Sequence, residues 1–351
     1  MEENAYMFPW LDLMDRPAFC VKDGIVIYAN AAAQNRMVQP GTDVREIVTE
    51  HRQAYESFES GCLYLTATIG GFPCNVSICR TQEFDIFLMN RETDDEHLQT
   101  LALAAQQLRI PLSNVMAVTD LLLANPESEA TRQQAGQIHH GLYQLLRILN
   151  NMSDSGSYRT TQVSSMQLVN LTAVVGEIIE KVQTLCNNTG NSLTYVGPDT
   201  TVLGMANEEK LSRALYNLLS NALKFSPAGS TVEAKLVQRD NQLSFTVCNR
   251  HAEDLGVQDF WSRFRREPFI EDSRYGLGLG MTLVSAVAAA HGGTVLVDHP
   301  DDDHTRVTMT IAIAKDSNGD VRSPMLHIGD YAGGRDKGLL EFAEILSSDV
   351  Y

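Results

Sequence analysis

Two short runs, at 217–227 and 276–280, constrain this chain more than anything else in it. The first, Asn217-Leu-Leu-Ser-Asn221-Ala-Leu-Lys224-Phe225-Ser-Pro227, sets two carboxamides four positions apart and an ammonium three beyond the second. At helical periodicity both asparagines share one face, with Lys224 at its edge. An amide oxygen is a hard donor suited to Mg²⁺, and a nearby ammonium suits a phosphate that the same ion touches. The second run, Gly276-Leu-Gly278-Leu-Gly280, leads into the apolar helical pattern Met281–His291 and then Gly292-Gly293. Backbone N–H groups without side chains at a helix start make a good anion cradle.

The 351 residues give room for two or three domains, and 44% apolar content is enough to bury several cores. A formal net charge of −17 argues against nucleic acid or an anionic membrane as a direct partner. The cysteines Cys20, Cys62, Cys74, Cys79, Cys186 and Cys248 form no CxxC pair and lie in apolar segments, so they read as small buried thiols in a reducing compartment. Cys62, Cys74 and Cys79 have no histidine spacing that would support a metal site. No stretch approaches the ~20 apolar residues of a membrane span, and Met-Glu-Glu-Asn places no basic region before an apolar run. The expectation is a soluble, cytoplasmic protein with no membrane span.

Residues 1–92 read as a small α+β domain. Ala18–Val21 and Ile25–Tyr28 flank Lys22-Asp23-Gly24, a hairpin signal, and Asn30 is placed to cap an Ala-rich helix. Leu63–Ile69, Phe72–Arg80 and Phe84–Met89 then read as antiparallel strands. Residues 93–153 read as two helices. Leu98, Leu101, Ala105, Leu108, Leu112, Val115, Thr119 and Leu122 form one seam, and Asn125-Pro126 breaks the chain. Ile138, Leu142, Leu145, Leu149 and Met152 then form a second seam. A hairpin this short cannot enclose two apolar stripes, so pairing with a second copy into a four-helix bundle follows.

Ser153–Thr161 is polar and small and reads as a flexible linker. Residues 166–314 form a third unit with helices at Leu171–Cys186 and Glu208–Phe225. Its strands fall at Leu193–Val196, Thr231–Gln238, Gln242–Cys248, Thr294–Val297 and Arg306–Ala314, and Asp298–His304 reads as an acidic turn. Helices covering one side of a mixed sheet suit an α/β sandwich. Residues 315–351 are Gly- and Asp-rich; no fold is assigned to them, apart from a short helix at Gly338–Leu346.

The two opening runs resemble the N box and the later glycine box of the GHKL nucleotide-binding domain, as in sensor histidine kinases. The order of hairpin and GHKL domain over 93–314 is similar to those kinases, and Ile27-Tyr28-Ala29-Asn30-Ala31-Ala32 looks like a PAS signature. Gln106-Gln107-Leu108-Arg109-Ile110-Pro111-Leu112 resembles the H box, usually His-Glu-Leu-Arg-Thr-Pro-Leu. Leu108, Arg109, Pro111 and Leu112 match. The acceptor position holds Gln106, the acidic partner is Gln107, and the threonine position holds Ile110. An imidazole attacks the γ-phosphate through a free lone pair, whereas an amide nitrogen has its lone pair delocalised into the carbonyl. Gln107 cannot take a proton as a carboxylate would. His139 and His140 are the substitute nucleophiles to consider; with no carboxylate beside either, both read as exposed.

The resemblance implies that Asn221 ligates Mg²⁺ with Asn217 assisting, that Lys224 touches phosphate, and that Gly276, Gly278 and Gly280 form the glycine box. Leu283-Val284 and His291-Gly292-Gly293 continue that pattern. Trp261–Arg266 resembles the aromatic box before the ATP lid, and Phe269–Tyr275 would be a short lid without glycine. At the adenine end the family's Asp-x-Gly-x-Gly is replaced by Asn249-Arg250-His251-Ala252-Glu253. Losing a charged hydrogen bond costs about 1.5–3 kcal/mol, roughly ten- to a hundredfold in affinity, so weak or lost ATP binding is expected.

The whole reads as an α+β multidomain chain. It comprises a PAS-like sensor domain (1–92), an antiparallel hairpin forming a dimeric four-helix bundle (93–153), a GHKL-type α/β sandwich (166–314) and a tail (315–351). The expected function is that of a histidine-kinase-like pseudokinase, a homodimeric sensor or scaffold for a response regulator or another kinase. The alternative is an active histidine kinase or phosphotransferase with a noncanonical acceptor.

Overall fold

Asp23 and Gly24 take positive φ, 51° and 79°, and close the first hairpin. In the computed structural model, which describes residues 8–14, 16–89, 93–124, 126, 128–157, 166–251, 279–313 and 335–351, this hairpin follows helix α1 (Pro9–Asp12). It joins β1 (Ala18–Lys22) to β2 (Ile25–Ala29). Asn30 ends β2 and ties three elements together. Its Oδ1 accepts from the backbone N of Ala33, capping α2 (Ala31–Gln34), and from that of Ala18, while its Nδ2 donates to the carbonyls of Leu11 and Arg16. Helices α3 (Val44–Ile47) and α4 (Arg52–Ser57) lead to β3 (Gly61–Ile69), β4 (Phe72–Arg80) and β5 (Asp85–Met89). Phe19, Val26, Leu65, Ile78 and Phe87 fill one face of this sheet; Phe8 and Leu11 of the N-terminal segment cover the other. Cys62 and Cys79 face each other across β3 and β4 with sulfurs 3.0 Å apart, and Cys74 lies opposite Ala67.

The hairpin consists of α5 (Thr93–Ala124), which continues through Pro111, and α6 (Glu129–Ser157). Residues 153–157, expected as linker, are helical, because extending an existing helix needs no new nucleus even through poor formers; 158–165 lie outside the described residues. Ala105, Leu112 and Met116 bury against Leu142, Leu146 and Leu149. Leu108, Val115, Leu122, Ile138 and Leu145, assigned to the same seams, are exposed instead. The two stripes are wider than one helix–helix contact can cover, so the intramolecular pairing takes only half of each.

The third part opens with β6 (Gln167–Asn170), and Asn170 caps α7 (Leu171–Cys186) by accepting from Ala173 N. Then come β7 (Ser192–Val196), β8 (Leu203–Ala206) and α8 (Glu208–Phe225), followed by β9 (Thr231–Arg239) and β10 (Gln242–Arg250). After the residues outside the described set follow α9 (Leu279–Ala290), β11 (Val295–Asp301) and β12 (His304–Ala312). β6 and β8 pair with each other as a separate two-stranded sheet. At four residues each they are too short for alternation to announce them. The acidic stretch from Asp298 is strand rather than turn up to Asp301; Asp298 is matched across the ladder by Arg306, which donates to it at 2.8 Å. α7 and α8 pack their apolar stripes on this sheet around Val175, Ile178, Val182, Leu215, Leu218 and Val232.

The N-terminal sheet and the large sheet of the third part are one. Their order is β2-β1-β5-β4-β3-β11-β12-β10-β9-β7, ten strands in which β3 and β11 pair antiparallel with Leu63 opposite Leu296 and Cys62 opposite Val297. Gly61, at φ +89°, makes this seam possible, since a Cβ there would stand 2.1 Å from the carbonyl oxygen of Val297. The last segment, in which only a short helix at Gly338–Leu346 was expected, is packed, and its helix ends at Glu341. α10 (Lys337–Glu341) is capped by Asp336, and Leu340, Phe342 and Ala343 are fully buried. Among the described residues no helix is long and apolar enough to cross a membrane. We predict that Gly61→Val opens the β3–β11 seam. Hydrogen exchange at Val295–Val297 should accelerate about tenfold or more, while the interior of β9 and β10 keeps its protection.

Candidate functional site

α8 begins where the Asn207 side chain accepts from Lys210 N, with Glu208 and Glu209 in the first turn and Lys224 in the last. Asn217 is 1% exposed, and its Nδ2 donates to the carbonyl of Arg213 at 3.0 Å. Asn221, one turn on, is half-buried. The first turn of α9 presses against both. A Cβ on Gly280 would lie 2.8 Å from Asn217 Oδ1 and 3.7 Å from Asn221 Nδ2, so the helix can approach this closely only without a side chain there. The structure therefore brings together Asn217, Asn221 and Gly280, as their order in the chain suggested. Gly276, Gly278, Trp261–Arg266, Phe269–Tyr275, Ala252 and Glu253 lie outside the described residues.

Asn249 stands near the end of β10, opposite Thr305, with its Nδ2 donating to the carbonyl of Arg250 at 3.0 Å. Lys224 points its ammonium at a carboxylate of its own chain, Glu344 Oε2 at 2.5 Å. Burial pushes the Glu344 carboxyl up, but Arg147 and Lys224 outweigh that, so it sits below the ordinary carboxylate range.

His291, quoted above only as part of a glycine motif, is a structural tie. Its Nδ1 lies 2.7 Å from the carbonyl of Val287, and its Nε2 accepts from the backbone N of Asn207 at 3.1 Å. That pair of contacts demands the neutral ring with the proton on Nδ1. Burial holds its pKa below the ordinary value, and Lys210 adds to the effect.

On the hairpin, Gln106 and Gln107 are both exposed, one turn before Pro111. Neither His139 nor His140 is the exposed, carboxylate-free side chain that sequence adjacency suggested. His139 is 9% exposed, with Nε2 2.8 Å from Asp120 Oδ1 and the ring edge-on to Tyr143. The carboxylate comes from the antiparallel helix, so inspecting neighbours along the chain cannot find it. His139 Nδ1 is buried and makes no hydrogen bond. His140 is half-buried, 2.6 Å from the Ala343 carbonyl and stacked on Tyr351.

Sequence reading also missed a buried ionic cluster. Arg147 of α6 is 4% exposed and donates to Ser220 Oγ of α8 at 2.9 Å. Arg213 of α8 is 2% exposed and donates to Asn151 of α6 at 3.1 Å. Between them sits Glu341, 0% exposed, 3.4 Å from Arg147 and 3.6 Å from Arg213. The available signal was an arginine inside an apolar helical stripe in each case, between Leu146 and Leu149 and between Leu211 and Leu215. A surface cavity of about 540 Å³ lies elsewhere, lined by Gly197, Pro198 and Thr200 after β7 and by Lys235–Gln238 of β9.

Residues 206–315 match the family model described as "Histidine kinase-, DNA gyrase B-, and HSP90-like ATPase". The stretch contains α8 and α9 and every strand from β9 to β12. The chain is 28% identical over 200 residues to the sensor histidine kinase CusS of Escherichia coli O6:H1 (strain CFT073), an alignment covering 55% of this chain and 41% of CusS. It is 26% identical over 215 residues to the sensor protein KdpD of Clostridium acetobutylicum, covering 58% of this chain and 23% of KdpD. Residues 206–315 thus form a GHKL-type ATPase domain, and the chain is similar to sensor histidine kinases over the aligned stretches. It spans less than half the length of these two relatives. Among solved structures it is similar to full-length ShkA in complex with AMPPNP, at 21% identity and a TM-score of 0.45, covering 61% of this chain and 46% of that one.

The tie at His291 has a pH consequence. The unfolded chain takes up a proton at that ring near pH ~6.5 and the folded chain resists it, so stability is complete above the unfolded value and falls as pH drops through it. Half-buried His51 contributes in the same direction. Thermal melts between pH 8 and pH 5 should fall toward acid, and His291→Gln, whose amide can still accept from Asn207, should show a shallower fall.

Proposed function

We propose that this histidine-kinase-like signalling protein is a pseudokinase, a homodimeric sensor or scaffold that engages a response regulator or another kinase without phosphorylating itself at the usual position. The observation that carries this reading is Gln106, an exposed carboxamide at the place in the H-box-like run where the family presents its reactive imidazole. A carboxamide has no available nitrogen lone pair to receive a phosphoryl group. The domains would be the PAS-like part (1–92), the hairpin (93–153, its second helix reaching Ser157) and the GHKL part (166–314).

The residues present fit Mg²⁺ and the phosphate end of ATP. Carboxamides of Asn217 and Asn221 gather beside Gly280, a hard-oxygen set next to a helix start, and Lys224 lies one turn on. Asn221 would hold the metal, assisted by Asn217, with Lys224 and the run Gly276, Gly278, Gly280 around the phosphates; bound Mg²⁺ would neutralise phosphate charge. Asn249 offers the base an acceptor without a charge, which favours weak binding. A soluble, cytoplasmic setting agrees with this reading.

Dimerisation follows from what the hairpin leaves uncovered. Leu103, Ile110, Val118 and Leu121 of α5 are 63%, 70%, 59% and 70% exposed, beside Ile138 and Leu145 of α6. Burying each such side chain fully is worth about 1.5–3 kcal/mol, enough for several to drive a bundle. A signal has a second route besides the bundle. The β3–β11 ladder links the PAS-like strands to the GHKL sheet, so a shift of one sheet edge loads the other.

A second reading keeps phosphotransfer and uses His139, favoured by its contact with Asp120. A carboxylate on Nε2 would orient the ring and leave Nδ1 as the nucleophile. That atom is buried in the described state, which favours the first reading.

Two experiments test these readings. Incubated with Mg²⁺ and γ-labelled ATP, the full chain should acquire no acid-labile label; label lost on His139→Gln would establish the second reading instead. Light scattering should give a dimer mass, and Ile110→Glu with Leu121→Glu should shift it to monomer. A wild-type chain that is monomeric at micromolar concentration would contradict the bundle.

A further inference from the structure

Residues 335–351 lie in the cleft between α6 and α8, and their contacts are polar where they meet both walls. On the hairpin side, His140 Nε2 and Gln144 Nε2 approach the Ala343 carbonyl at 2.6 and 3.1 Å. Tyr351 stacks on His140 with centroids 5.1 Å apart and packs against Tyr143 at 5.0 Å; its hydroxyl donates to the Leu339 carbonyl at 2.7 Å. On the other side, Phe342 meets Tyr216 edge-on, and Asp336 pairs with Lys181 of α7.

Two carboxylates of this segment then select three cations from opposite walls. Glu341 bridges Arg147 and Arg213, joining α6 to α8. Glu344 bridges Arg147 Nη1 at 3.1 Å and Lys224 Nζ at 2.5 Å. A guanidinium buried as deeply as Arg147 or Arg213 is stable only beside an anion, so the cleft is built around an acidic ligand. The grip weakens outward, because the Glu344 side chain is 28% exposed while that of Glu341 is 1% exposed. Opening therefore starts at the Lys224 end.

We propose that the cleft between the hairpin and the N-box helix is a carboxylate-binding site whose resident, releasable ligand is the chain's own segment 335–351. Bound, the segment fastens α6 to α8 and keeps the Lys224 ammonium on Glu344. Released, it hands Lys224 to whatever phosphate the asparagines of α8 hold and frees the hairpin to move against the GHKL part. The proposal rests on the reading of α8 as an N box only for what Lys224 does once free; the site and its ligand stand on the contacts themselves.

The test uses the full chain without nucleotide, so a failure of nucleotide binding cannot imitate a failure here. Wild type, Glu344→Gln and Glu344→Asp, which keeps a negative charge for both Arg147 and Lys224, are compared by hydrogen exchange. Lys224 in each is also footprinted with acetic anhydride and peptide mass spectrometry. In Glu344→Gln, Lys224 should acetylate about tenfold faster and amides 338–346 should lose about tenfold in protection, while β9 and β10 keep theirs. Glu344→Asp should stay close to wild type in both readouts. Equal acetylation and equal exchange in wild type and Glu344→Gln would overturn the proposal. So would a Glu344→Asp chain as open as Glu344→Gln, which also decides the matter if Glu344→Gln disturbs β9 and β10.

Discussion

The packing of α8 on three sides at once is the constraint from which the rest of the structure follows. One face carries Leu215 and Leu218 into the sheet core, a second sets Asn217 against Gly280 of α9, and a third offers Arg213 and Ser220 to the hairpin. A helix with one exposed face tolerates polar substitution there; this one has little such freedom. Its charged groups are accordingly matched, Arg213 by Glu341 and Asn151, and Lys224 by Glu344. Isolated, such charges would cost several kcal/mol each to bury.

The seam between β3 and β11 is the second organising contact. Edge strands are normally blunted because their free N–H and C=O groups invite pairing. Here two edges satisfy each other, and a glycine at 61 admits the approach. The consequence is mechanical: the N-terminal sheet and the GHKL-type sheet share a ladder as well as a chain, so neither moves without straining backbone hydrogen bonds. Under the proposed signalling role that continuity offers a direct line between the two ends, in addition to the proposed bundle.

Much of this was legible in the sequence where the cause is local. Asn30 caps the helix that follows it, Asp23-Gly24 turns the first hairpin, and α7 and α8 fall on the residues their periodicity marks, because each depends on a handful of adjacent side chains. The shared face of Asn217 and Asn221 was legible because helix spacing fixes it, while the approach of Gly280 to both is a matter of packing between two helices. What could not be read was long-range. The pairing of His139 with Asp120 crosses two helices, and the Arg147–Glu341–Arg213 cluster joins three elements far apart in the chain. In segment 335–351 a short helix could be read, but its burial could not, because that comes from a cleft made by other parts of the chain.

We propose that α8 keeps a phosphate-binding face while the base-binding end and the acceptor position are altered. Titrating the full chain with a non-hydrolysable ATP analogue, while following the side-chain amide resonances of Asn217, Asn221 and Asn249 by NMR, tests it most directly. Such a face should give Mg²⁺-dependent shifts at Asn217 and Asn221 that saturate only at high nucleotide concentration, with the smaller change at Asn249. Tight saturation led by Asn249, or no response at Asn217 and Asn221 at any concentration, would contradict it.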